Sequence, residues 1–170
     1  RIEQANFSLP SGIQSYASAN YKGKIIILAG RSNGLHGFDN NDTNFPPNKQ
    51  NTDLFIIDPK KGSVIVKSLK DPSSGLTQEQ IDTLSVTSPQ SYQSGKYLYM
   101  AGGYGVDTAT GLFNTKDTFT AIDLKGLIHW AITPSAGETA AKHILQIRDP
   151  IFQITGGYMD KTVHNLTLLI

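Results

Sequence analysis

The stretch 95–105, GKYLYMAGGYG, constrains the fold more than any other part of the chain. A turn at Ser94-Gly95 leads into five aromatic and apolar residues, Tyr97 to Ala101, and Gly102, Gly103 and Tyr104 close the run. Bulky residues between glycine punctuation favour an extended strand over a helix. Lacking a Cβ, the glycine pair can adopt backbone angles and close approaches that other residues cannot. The pattern recurs. Gln14-Ser15-Tyr16, a turn over Ala19 to Gly23 and the run Ile25 to Gly30 match Gln90-Ser91-Tyr92 and the residues after it. A third copy reads Ile151-Phe152-Gln153-Ile154-Thr155-Gly156-Gly157-Tyr158. The first glycines fall at 30, 102 and 156, 72 and then 54 residues apart.

Further strands are expected behind each glycine pair. Thr52 to Asp58, a turn through Lys60 to Gly62, and Ser63 to Ser68 follow the first. Asp117 to Asp123, a turn at Lys125-Gly126, and Leu127 to Ile132 follow the second, and 165–170 follow the third. Four strands per unit at a repeat near 50 residues is the signature of a β-propeller blade, so the expected class is all-β, with four-stranded antiparallel blades. One helical turn is expected at Gln78 to Thr83, after the capping residue Thr77.

The pattern resembles the kelch repeat: apolar strand, double glycine, aromatic residue, a strand ending in Asp, a turn, and Trp. Asp58-Pro59 and Asp123-Leu124 match the end of the third strand, and Trp130 the tryptophan. Arg31 stands where a second glycine is expected, Ile57 and Ile122 replace tyrosine, and Val64 occupies the first unit's tryptophan position. The resemblance implies a blade at 10–69, a second at 84–133 and an incomplete one at 143–170, with residues 4–9 a strand completing another blade. Propellers close at about four to eight blades. About three are expected here, so the implied partner in closure is the rest of the chain's own propeller or a second copy of the chain.

Composition narrows the function. A formal net charge of +1 and 17% charged residues argue against a nucleic-acid binder. No cysteine is present, which excludes disulfides, zinc–thiolate sites and thiol nucleophiles. No apolar run approaches the ~20 residues that span a bilayer. Neither a nucleophile elbow nor an HExxH helix nor a phosphate loop appears, and no cofactor is implied.

Loop lengths point to a face. The connections Arg31 to Asn51, Lys70 to Thr83, Tyr104 to Lys116 and Thr133 to Lys142 are long, whereas the other turns are short. Long ordered loops in compact domains usually carry a role, so the long-loop face is the expected binding face, for a protein or glycan partner. In a propeller, residues just after each glycine strand line the channel mouth. Those are Arg31, His36 and Asp39, then Tyr104 and Asp107, then Tyr158 and Asp160. Arg31 offers a planar fork for carboxylate or phosphate, or simply pairs with a nearby acid. Tyr104 and Tyr158 read as packing aromatics or as ligand platforms. Residues 39–44 are rich in oxygen ligands but lack the glycine and glutamate of a calcium loop, so a plain loop is expected and no metal site.

The alternative is an enzyme on the same scaffold, since fold does not fix function. A galactose-oxidase-like copper site needs a cysteine that this chain lacks. A sialic-acid-mutarotase-like enzyme would use acid, base and arginine groups, for which Arg31, Asp107 and Arg148 are the candidates.

Overall fold

A computed structural model describes residues 1–35, 37, 44–133, 135, 137–162 and 166–169. Strands β1 (Ala17–Tyr21) and β2 (Lys24–Leu28) are joined by Lys22-Gly23, both at positive φ, the requirement of a two-residue hairpin turn. With β3 (Asp53–Asp58) and β4 (Ser63–Ser68) they form an antiparallel sheet in the order β1-β2-β3-β4. Strands β2 and β3 are apolar on both faces because both faces are covered. Ile26, Leu28, Leu54 and Ile56 enter the main core, while Ile27, Phe55 and Ile57 meet Phe7, Leu9 and Ile13.

Residues 4–9 therefore do not form the expected strand. Phe7 and Leu9 find their apolar partners on a sheet face rather than at a sheet edge, and Asn6 sits against Gly62.

Helix α1 (Gln78–Leu84) follows Thr77 as expected, with a reciprocal cap. The Gln80 backbone N–H donates to Thr77 Oγ1 at 3.2 Å, and the Thr77 N–H to Gln80 Oε1 at 3.0 Å. The second sheet contains β5 (Gln90–Ser94) and β6 (Tyr97–Ala101). A small ribbon of β7 (Tyr104–Val106) and β8 (Phe113–Thr115) leads to β9 (Thr118–Asp123).

Where the fourth strand was expected, at Leu127 to Ile132, the chain is helical: α2 spans Leu124–Ile132. The Asp123 side chain caps it by accepting from Lys125 N–H at 3.1 Å. Leu124, Leu127, Ile128 and Ala131 are buried, a helical rather than alternating spacing. Trp130 thus sits on a helix and donates its indole N–H to the Ser73 carbonyl at 3.0 Å. The fourth strand is β10 (Ile144–Arg148), and the order is β5-β6-β9-β10, antiparallel throughout.

The third copy also differs. Pro150–Phe152 is a 3-10 turn, and strand β11 (Tyr158–Lys161) starts after the glycine pair, not before it. It pairs with β12 (Leu166–Leu169). Strands β1, β5 and β11 begin at residues 17, 90 and 158, steps of 73 and 68 in place of the 72 and 54 read from the glycines. Gln14-Ser15-Tyr16 precedes β1 whereas Gln90-Ser91-Tyr92 lies inside β5, so that match does not join equivalent positions.

A different link does recur. Ser15, Ser88 and Gly156 all have positive φ (57°, 52° and 73°). Ser88 N–H donates to the Ser15 carbonyl at 2.9 Å, and Gly156 N–H to the Ser88 carbonyl at 2.8 Å. Gly30 N–H to the Val86 carbonyl and Gly103 N–H to the Ile154 carbonyl, each 2.7 Å, repeat a second link between successive units. The two large sheets and both helices share one core, including Leu28, Leu54, Leu84, Leu98, Ile122 and Leu127.

Candidate functional site

The strand directions sort the connections between two ends. The β2–β3, β4–β5, β6–β9 and β10–β11 connections leave one end, and the β1–β2, β3–β4 and β5–β6 turns leave the other. The segment from Thr133 to Lys142, expected on the long-loop face, joins α2 to β10 and so belongs to the opposite end. Its place on the long-loop face is taken by the β10–β11 connection.

At the long-loop end a polar cleft of about 390 Å³ opens between α1, the β7–β8 ribbon, the start of β9 and the end of β10. Arg148 grips Asp117 bidentately, Nε to Oδ1 at 2.9 Å and Nη2 to Oδ2 at 3.1 Å, and also contacts Glu79. This hydrogen bonding holds the Asp117 carboxyl below its ordinary value of 3.8 and raises Arg148. Asp82 is held on three sides: it accepts from Thr108 N–H at 2.8 Å, Thr108 Oγ1 at 2.7 Å and Gln78 Nε2 at 2.8 Å. Asp107 Oδ1 accepts from the N–H groups of Ala109 at 3.0 Å and Thr110 at 3.2 Å, shaping its own turn.

Lys116 stands among these acids. It is only 8% exposed, and its ammonium makes no hydrogen bond or ion pair with a described residue. Burial pushes its pKa down, outweighing the fields of Asp107, Asp82 and Asp117, which push it up. Thr118, two residues on, is 5% exposed, and its Oγ1 is buried with no hydrogen-bond partner among the described residues.

The residues singled out from the sequence divide. Asp107 and Arg148 line the cleft together. Arg31 does not join them; it is 6% exposed, with its guanidinium 4.8 Å over the Phe45 ring and Nη1 donating to Asn33 Oδ1 at 2.9 Å. Burial lowers its pKa, and it pairs with no described acid. Tyr104 packs beside it, edge-on to Phe45 and stacked on Phe113, with ring centroids 5.4 and 5.7 Å away. Tyr158 and Asp160 lie on β11, away from the cleft. His36 and Asp39 lie outside the described residues, as does most of the oxygen-rich 39–44 loop. Among the described residues no cluster of three His, Cys, Asp or Glu could hold a metal ion, and no helix is long and apolar enough to cross a membrane.

Sequence reasoning missed Lys116, Thr118, Asp82 and the role of Asp117. The Lys116-Asp117-Thr118 run at the strand entrance was visible, but nothing local announces that α1 closes over it.

The Asp117 pairing makes a pH prediction. Its carboxyl has a lowered folded-state pKa, so the stability it supplies is complete above the unfolded value and disappears as pH falls through the folded one. In thermal melts, the advantage of wild type over Asp117→Asn is expected to hold at neutral pH and shrink below about pH 4. A constant difference down to about pH 2 would contradict the pairing.

The chain matches no protein-family model and no curated protein sequence.

Proposed function

We propose that this chain is part of a kelch-type β-propeller that binds a protein or glycan partner through its long-loop end, without catalysis. The observation that carries the reading is the polar cleft at that end, built from three separate connections around Lys116, whose ammonium bonds to no described residue. The propeller itself is supported by the four-stranded antiparallel sheets and by the recurring bonds from Ser15 to Ser88 to Gly156, which relate successive units in the same way. In this reading further blades, from the rest of the propeller or a second copy, complete the ring.

The mutarotase-like alternative had Arg31, Asp107 and Arg148 as its candidate groups around one channel. Arg31 is buried against Phe45, outside the cleft that the other two share, so the non-catalytic reading is favoured. The test is to probe the labelled chain against glycan and peptide arrays, with Arg148→Gln alongside. Binding that Arg148→Gln weakens supports the reading. Equal binding by both chains, or none by either, counts against it.

A further inference from the structure

Two polar groups in the cleft make no hydrogen bond or ion pair with a described residue: the Thr118 hydroxyl, which is buried, and the ammonium of Lys116, a residue only 8% exposed. Both line the cleft where the chain enters β9. A buried polar group without a partner carries a desolvation cost that a ligand atom can relieve. The acids nearby do not relieve it: Asp82, Asp107 and Asp117 are already committed to Thr108 and Gln78, to the 109–110 backbone and to Arg148. They are fixed acceptors with lone pairs to spare.

The lining limits the ligand's chemistry. Glu79, Asp82, Asp107 and Asp117 outnumber Lys116 and Arg148, so an anion meets an opposing field. A cation meets Lys116 at the buried wall. Ala109 is the sole apolar residue and no aromatic ring lines the cleft, so it lacks the anchor pocket that a peptide side chain needs. Its volume, about 390 Å³, falls among small-molecule sites. A neutral polyol suits all of this, because each hydroxyl donates and accepts at once.

We propose that the cleft holds one neutral sugar residue, with Lys116 Nζ and Thr118 Oγ1 bonding its hydroxyls and the fixed carboxylates accepting hydroxyl protons. This rests on the glycan branch of the function proposed above. It makes Lys116 and Thr118 the ligand-reading pair, and leaves the Arg148–Asp117 pair to hold the wall.

The experiment is an NMR titration of the isotope-labelled chain with three probe classes: neutral methyl glycosides of glucose, galactose and mannose, methyl glucuronide as the anion, and glucosamine as the cation. A neutral glycoside is expected to shift the amides of residues 82, 107 and 116–118, and to bind about tenfold more tightly than either charged probe. Lys116→Met and Thr118→Val are each expected to weaken it about tenfold. Thr118→Val keeps the side-chain shape and removes a buried unpaired hydroxyl, so its stability is expected to be equal or higher. Weaker binding in a chain no less stable separates ligand contact from a structural role. Tighter binding of the glucuronide or glucosamine, no cleft shifts with any probe, or full affinity in Thr118→Val would overturn the proposal. Array hits at the long-loop end that are peptides or charged glycans would overturn it too, while leaving the wider reading intact.

Discussion

Gly102→Ala is expected to destabilise the chain by about 3 kcal/mol, enough to consume a large share of a marginal protein's stability. Gly102 sits at φ +62°, a conformation that a Cβ makes costly by about 1–2 kcal/mol. The added carbon would also run into the Ile154 carbonyl and stand 2.7 Å from the Phe152 carbonyl oxygen. Neither obstacle is a side-chain tip that can swing away. Gly102 N–H donates to the Thr118 carbonyl at 3.0 Å and Gly103 N–H to the Ile154 carbonyl at 2.7 Å, so moving the backbone breaks the join between the second sheet and the segment before β11. Gly111 supplies the control: its φ is +72° but nothing lies within 4 Å of its Cβ position. Urea denaturation should show Gly111→Ala costing about 1 kcal/mol and Gly102→Ala clearly more. Equal costs would mean that close packing at the glycine pair is not what the fold depends on.

Leu98→Ala is expected to cost about 3 kcal/mol and to do so for the whole molecule at once. Leu98 is fully buried in the core that both sheets and both helices share. Removing three carbons loses their transfer energy and leaves a cavity that strands on either side cannot collapse into. The chain's one tryptophan, Trp130, lies on α2 and reports the same core from another element. Its fluorescence and the far-ultraviolet circular dichroism of the strands should lose structure in one coincident transition, shifted together by the substitution. Two separated transitions would show that the sheets fold independently.

The strongest local signals in the sequence were the reliable ones. Apolar runs bounded by glycine turns located β2 and β6, and the Asp-terminated runs located β3 and β9. The reciprocal cap at Thr77 located α1 because it is a short-range chemical motif. The differences share one cause: a short motif does not by itself fix a position in a repeat. Gly156-Gly157 resembles the pair at Gly102-Gly103, yet a glycine pair specifies only left-handed turns, and no strand leads into it as β6 leads into Gly102. Trp130 and Gly126 suggested a turn and a strand, whereas the buried spacing of Leu124, Leu127, Ile128 and Ala131 is helical. Of the site, Asp107 and Arg148 were within reach because charged residues near loop–strand junctions attract attention. Lys116 was not, since its burial depends on α1 packing beside the β7–β8 ribbon, a contact between segments some thirty residues apart. Arg31 differs for the converse reason: a charged residue expected at a channel mouth lies buried against Phe45, from a loop that gives no sign of folding back.

Hydrogen–deuterium exchange, with and without the strongest ligand found on the arrays, would locate the binding face. If the long-loop end is the binding face, protection should appear at 78–83, 103–118 and 148–153, around the cleft. The turns at 22–23, 59–62 and 95–96 should exchange as before. Protection concentrated at those short turns, with the cleft segments unchanged, would contradict the account.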